Sequence, residues 1–212
     1  MELINAAAEH YAGKFSSPEP DLLAAIARST QSEHPQAHML SGHVQGRLLS
    51  VLSQLIQPRH ILEIGTFTGY SALCLCEGLH PEGQLHTIEI RESDANTARL
   101  NFDSSPYAAQ IHLHIGQAAH IIPQLNYLWD IVFIDADKTG YAGYYDQVFP
   151  RVRKGGLIIA DNIFFHGQVL DEAHNGKNPV AMRNFAEKIA DDAGTEKVIL
   201  TVRDGLMLIV KK

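Results

Sequence analysis

Cysteine is scarce in this 212-residue chain, and its two copies, Cys74 and Cys76, are badly placed to pair. They stand two apart in a stretch that reads as helix, so at ~100° per residue they point about 200° from one another. That argues against a disulfide and against a chelating pair, and they read as small core residues. A basic surplus is missing as well: 17 Lys and Arg against 24 Asp and Glu give a formal charge of −7. With no lysine-rich arm or basic helix face, a nucleic-acid backbone and an anionic membrane are both disfavoured as partners. The one basic cluster, Arg151, Arg153 and Lys154, precedes a strand and reads as a solvated loop on the sheet edge opposite the acidic residues described below. The N-terminus has Glu2 and His10, no basic n-region and no long apolar stretch. Neither a signal peptide nor a membrane span is expected, and a cytoplasmic location follows.

What is present suits one buried α/β domain over residues 1–212, since 45% of residues are hydrophobic and no repeat, linker or low-complexity tract interrupts them. Residues 1–57 read as a helical leader, with helices over 2–11, 21–33 and 41–57, the last capped by Ser41. From residue 58 strands and helices alternate. Strands are expected over 60–64, 84–90, 111–115, 130–135 and 156–161, and helices over 69–79, 92–102, 117–125 and 141–149. That rhythm predicts βαβ units, hence a doubly wound, mostly parallel sheet. Pro179 is expected at the first position of a further helix, capped by Asn178 and ending near Asp192. The rhythm then breaks. Strands over 198–202 and 206–210 are joined only by Arg203-Asp204-Gly205, a hairpin that makes one strand antiparallel.

Two apolar runs end abruptly in carboxylates: Ile131 to Ile134 runs into Asp135-Ala136-Asp137-Lys138, and Leu157 to Ala160 into Asp161-Asn162. Such runs read as buried parallel strands that deliver polar groups to the sheet's carboxyl edge, where open α/β sheets bind ligands. Asp135, Asp161 and the amide oxygen of Asn162 form an oxygen-only set, which favours a hard cation, Mg²⁺ first, with Ca²⁺ or Mn²⁺ able to substitute. Lys138 is a candidate general base, because a neighbouring cation lowers an ammonium's pKa; alternatively it is a surface lysine paired with Asp137. Asp137 either caps the following helix or binds the polar end of a cofactor.

The segment Glu63-Ile64-Gly65-Thr66-Phe67-Thr68-Gly69-Tyr70-Ser71 joins the first strand to its helix, and its glycines allow close backbone approach to a ligand. It is neither G-x-G-x-x-G nor a Walker loop. Glu89 ends the second strand 20 residues after Gly69, where a carboxylate can accept from both hydroxyls of a ribose. A nicotinamide-dependent oxidoreductase would share that feature. Glu63, read as standing at the loop's mouth, would repel a pyrophosphate and attract an ammonium or sulfonium, which favours S-adenosylmethionine; the alternative is a surface or capping glutamate.

Twelve histidines invite over-reading. His112 and His114 share one strand face and are expected to meet a covering helix or solvent rather than a metal. His34 and His38 have helical spacing interrupted by Pro35. His166, four residues past Asn162, is kept as a substrate-pocket candidate, and Phe164, Phe165 and Tyr141 as pocket walls.

The strings ILEIGTFTGYSAL, HTIEI, VFIDADK, GGLIIADN and DGLMLIVKK resemble the metal-dependent class I O-methyltransferases of the catechol and caffeoyl-CoA type, from about Gly42 to the C-terminus. The resemblance implies a seven-stranded Rossmann-like sheet with its last strand antiparallel. It implies S-adenosylmethionine held by Ser41, Glu63, Gly65, Thr66, Ser71, Glu89, the backbone at Ala118, and Asp135 or Asp137. Asp135, Asp161 and Asn162 match the metal ligands and Lys138 the base, so that a vicinal-hydroxyl phenolic would be methylated by direct displacement. Family habit and the apolar leader suggest a homodimer. Gln117 departs from an acidic residue of many relatives, and Phe165 and His166 from Trp and Asn of the plant enzymes, so the acceptor's identity is not implied. A non-catalytic cofactor-binding protein is the remaining alternative.

Overall fold

The computed structural model describes residues 5–212. Three helices lead: α1 (Ala6–Phe15), α2 (Asp21–Glu33) and α3 (His43–Ile56). The chain then alternates β1 (His60–Ile64), α4 (Tyr70–Cys76), β2 (Gln84–Glu89), α5 (Glu92–Asp103), β3 (Ile111–Ile115), α6 (Ala118–Ile121), β4 (Trp129–Ile134), α7 (Tyr141–Val148) and β5 (Val152–Ala160). It closes with α8 (Lys177–Asp191), β6 (Thr195–Leu200) and β7 (Leu206–Lys211). The seven strands form one sheet in the order β3-β2-β1-β4-β5-β7-β6, all parallel except β7, which runs antiparallel to both neighbours. No described helix is long and apolar enough to cross a membrane.

Side-chain alternation divides the interior into two cores. Ile61, Leu85, Ile131, Phe133, Leu157 and Ile159 face the leader, α4 and α5; Leu62, Ile64, Ile88, Trp129, Val132, Ile134 and Ile158 face α6, α7 and α8. Both faces of the central strands are thereby buried, which is why β1 and β4 are apolar almost without a break.

The ends of several elements fall elsewhere than the sequence suggests. The first helix is capped by Asn5, whose side chain accepts the Ala7 N–H at 2.9 Å, and runs on to Phe15; the expected start at residue 2 lies outside the described residues. Gly42 (φ 77°), not Ser41, is the N-cap of α3, and Ser41 is left facing a cavity. In α8 the cap is Gly176, so Pro179 takes the third position, still within the first turn where its missing N–H has no helical partner. Strand β6 begins at Thr195, its start hidden from an apolar reading because it is an edge strand with Glu196 facing solvent. Strand β5 begins at Val152, so Arg153 and Lys154 are strand residues rather than a solvated loop. Arg153 pairs with Asp130, whose other oxygen accepts the Arg59 and His60 N–H groups at 2.8 and 2.9 Å. The rings of His112 and His114 stack with His86 on β2, at centroid distances of 4.7 and 5.3 Å.

Candidate active site

Backbone pairing lines up the carboxyl ends of the strands in a regular step. In each case the first residue past a strand donates its N–H to the last carbonyls of the neighbour: Gly116 to Glu89 (2.8 Å), Gly65 to Ile88 (2.9 Å), Asp135 to Ile64 (2.8 Å) and Asp161 to Ile134 (3.0 Å). The strand order reverses between β1 and β4, which opens a crevice at this edge. The crevice is a cavity of about 640 Å³, lined by Ser41, Gly65, Thr66, Ser71, Glu89, Ala118, Asp135, Asp137, Lys138, Asp161, Asn162 and His166 among others. Only glycine fits at 65: its φ is +99°, and an added Cβ would lie 2.0 Å from the carbonyl oxygen of Asp135.

Glu89 binds the glycine loop as well as facing the cavity. One carboxylate oxygen accepts from the Thr66 and Phe67 amides (3.2 and 2.8 Å), the other from Ile90 and Arg91 (3.0 and 2.9 Å). Glu63 behaves differently from its reading as a group at the loop's mouth. On strand β1 it points the same way as Ile61, toward α4, and is 0% exposed and absent from the cavity wall. Ser71 and Thr87 hydroxyls donate to its two oxygens, each at 2.6 Å. Burial pushes its pKa up to about 8 against the opposing pull of those two bonds. Glu63 thus holds Ser71 and the strand beneath the loop in place.

The second half of the cavity is acidic. Asp161 is 3% exposed, accepts the Gln45 amide at 2.6 Å and its neighbour Asn162 N–H at 2.6 Å. Burial first, and then the charge of Asp135, raise its pKa to about 7. Asp135, Asp161 and Asn162 line the same cavity, and two carboxylates with an amide make an oxygen donor set that a hard divalent cation would satisfy. It contains two acids only; no group of three or more His, Cys, Asp and Glu gathers as a metal site among the described residues. Lys138 Nζ lies 3.0 Å from Asp135 Oδ1 and 2.9 Å from the Tyr141 hydroxyl, which is itself 3.1 Å from the Ile134 and Asp161 carbonyls. Asp137 pairs with the Tyr144 hydroxyl at 2.5 Å rather than with Lys138.

Of the proposed walls, Phe165 lines the cavity; Tyr141 is buried behind it and Phe164 packs under Gly205. His166 stands at the rim, 69% exposed, with Nδ1 3.7 Å from Asp204. His38 lines the cavity, while His34 bonds Asp94 at 3.2 Å. Sequence reasoning missed Gln45, Tyr144 and Arg203. For Gln45 a signal existed: it shares the helix stripe of Leu49 and Ser53, all three buried, and a buried amide needs a partner.

Comparison with known proteins agrees with this geometry. A sequence profile described as "O-methyltransferase" matches residues 13–212. The chain is 32% identical to a catechol O-methyltransferase of Niastella koreensis, with 96% of each chain aligned. It is similar in structure to the O-methyltransferase TomG from Streptomyces achromogenes, involved in tomaymycin synthesis and solved with SAM (TM-score 0.88, 30% identity, 97% and 96% covered). An O-methyltransferase from Bacillus cereus in complex with SAH superposes similarly (TM-score 0.87, 29% identity, 97% of each chain covered). A nicotinamide enzyme finds no support in these relatives.

Proposed function

Because this chain belongs to the O-methyltransferase family and is an S-adenosylmethionine-dependent methyltransferase, we propose that its acceptor is a vicinal-hydroxyl phenolic and that transfer requires a divalent cation, Mg²⁺ foremost. One observation carries the reading: Asp161, buried and carrying a raised pKa, stands beside Asp135 in the cavity that also contains the cofactor loop. Asp135, Asp161 and Asn162 would hold the cation. Bound there, it would acidify a coordinated phenol hydroxyl and fix its orientation.

The chain's own residues supply the rest. Glu89, Thr66 and Ala118 would take the nucleoside of the cofactor, and Ser41, Ser71 and Asp137 its amino-acid end; all six line the cavity. Gln45 orients Asp161 by its 2.6 Å bond. Lys138 would take the hydroxyl proton from a position bordered by Asp135 and Tyr141. Phe165 and Met39 keep water from the reacting oxygen. Apolar side chains left exposed on α1 and α3, among them Tyr11, Phe15 and Leu55 (77% exposed), support a homodimer formed through the leader.

Asp161→Ala is expected to abolish cation-dependent methylation of catechol while leaving S-adenosylmethionine affinity, by calorimetry, within about twofold of wild type. Full wild-type activity in excess chelator would overturn the cation requirement.

A further inference from the structure

Among the described residues, Arg203 is a cation on the cavity wall with no carboxylate to answer it. Arg203 occupies the β6–β7 turn, half-buried and facing the cavity. Its Nη1 donates to the carbonyls of Leu40 and Ser41, which fixes the side chain without neutralising it. The cavity's other Arg and Lys side chains are paired: Arg91 with Asp94 at 2.7 Å and Lys138 with Asp135 at 3.0 Å. Among the described residues no carboxylate comes within ion-pair distance of Arg203, and neither its Nε nor its Nη2 donates to a protein acceptor. A guanidinium held by one nitrogen with its remaining N–H fork free matches the two oxygens of a carboxylate.

Its place along the sheet edge says whose carboxylate that is. Reading across the strands, Glu89 ends β2, Gly65 follows β1, Asp135 β4, and Asp161 with Asn162 β5; Arg203 comes just before β7, the next strand over. The β5 and β7 ends are tied there, since Ile163 N–H donates to the Gly205 carbonyl (3.1 Å) and Phe164 N–H to that of Asp204 (2.9 Å). At ~4.8 Å per strand, Arg203 is about four spacings from the nucleoside end and one from the acidic ligands. A molecule with its hydroxyls at Asp135 and Asp161 can therefore extend toward Arg203, on the side away from Glu89.

We propose that Arg203 anchors the far end of the acceptor, which is a vicinal dihydroxy aromatic acid: its hydroxyls lie at Asp135, Asp161 and Asn162 and its carboxylate on the free edge of the guanidinium. This rests on the phenolic reading above and narrows it to acceptors that carry a carboxylate.

The test compares 3,4-dihydroxybenzoate and 3,4-dihydroxyphenylacetate with their methyl esters, using S-adenosylmethionine and Mg²⁺, in wild type, Arg203→Met and Arg203→Lys. Wild type is expected to favour at least one acid over its ester by about tenfold or more in kcat/KM. Arg203→Met should lower kcat/KM for that acid by about 10- to 100-fold, mostly through KM, and leave the ester within about twofold. Arg203→Lys should restore part of the loss, because it returns the charge without the fork. Three results would overturn the proposal: a wild-type preference for the esters, an equal loss for acid and ester in Arg203→Met, or a loss of S-adenosylmethionine affinity in that variant. Methylation of none of the four probes by wild type would instead reject the phenolic reading itself, and this inference with it.

Discussion

Gly65→Ala puts the joint between the two halves of the site under load. The residue has φ +99°, a region that costs a side-chain-bearing residue about 1–3 kcal/mol. Its new Cβ would sit 2.0 Å from the Asp135 carbonyl oxygen, so the ends of β1 and β4 must separate by more than an ångström to reach ordinary contact. That separation breaks the 2.8 Å bond from Asp135 N–H to Ile64, worth about 1 kcal/mol. The sum is about 2–4 kcal/mol, which at ~2–4 °C per kcal/mol for a chain of this size lowers Tm by about 4–16 °C. Activity should fall further than stability, by about a hundredfold, because Asp135 moves relative to the cofactor loop and misplacement on that scale costs that much. The assay is a thermal melt alongside methyl-transfer kinetics measured well below the variant's Tm. Gly143→Ala in α7 is the control: nothing lies within 4 Å of its added Cβ, and it should gain about 0.5–1 kcal/mol. A Gly65→Ala protein with unchanged Tm and full activity would refute the close-approach argument.

Other perturbations separate the remaining roles. Glu89→Gln should weaken S-adenosylmethionine binding about tenfold or more by calorimetry, since the four amides now converging on a carboxylate would lose its charge; unchanged affinity would remove Glu89 from the cofactor's support. Gln45→Met keeps the volume but removes the donor to Asp161, and should raise the Mg²⁺ concentration for half-activation about tenfold; an unaltered Mg²⁺ titration would make Gln45 mere packing. His86 is buried among His60, His112 and His114, and burial, then those neighbours, push its pKa down to about 3 from 6.5. The unfolded chain therefore binds that proton more readily. Stability is full above about pH 6.5 and declines as pH falls toward 3, by about 2 kcal/mol at pH 5. His86→Phe should flatten this acid limb in denaturant titrations at pH 5 and 7.5, and parallel profiles for the two proteins would exclude His86 as its source.

Much of this was legible because it is local. The apolar runs that end in Asp135 and Asp161 announce buried strands, and the Asp-Gly turn announces the antiparallel finish; both were found where expected. Glu63 shows the limit. Alternation along one strand reveals that Glu63 and Ile61 share a face, but which face opens on the cavity depends on where α4 packs. Gln45 and Asp161 are 116 positions apart, and Arg203 is 162 from Ser41; no spacing rule connects such pairs. The stack of His86 on His112 arises from strand register, which neither strand carries alone.

The stepped pairing at the sheet edge divides what can change from what cannot. Gly65, Asp135 and Asp161 are each tied by a main-chain bond to the end of the neighbouring strand, so their positions are set with the register and are indifferent to most side-chain exchange nearby. Met39, Phe165, His166 and Arg203 lie on connections: the turn before α3, the segment after β5 and the β6–β7 hairpin. Those three segments can diverge in sequence without moving the step, so a new acceptor preference can arise by exchanging loops while the methyl-transfer geometry is carried forward unaltered.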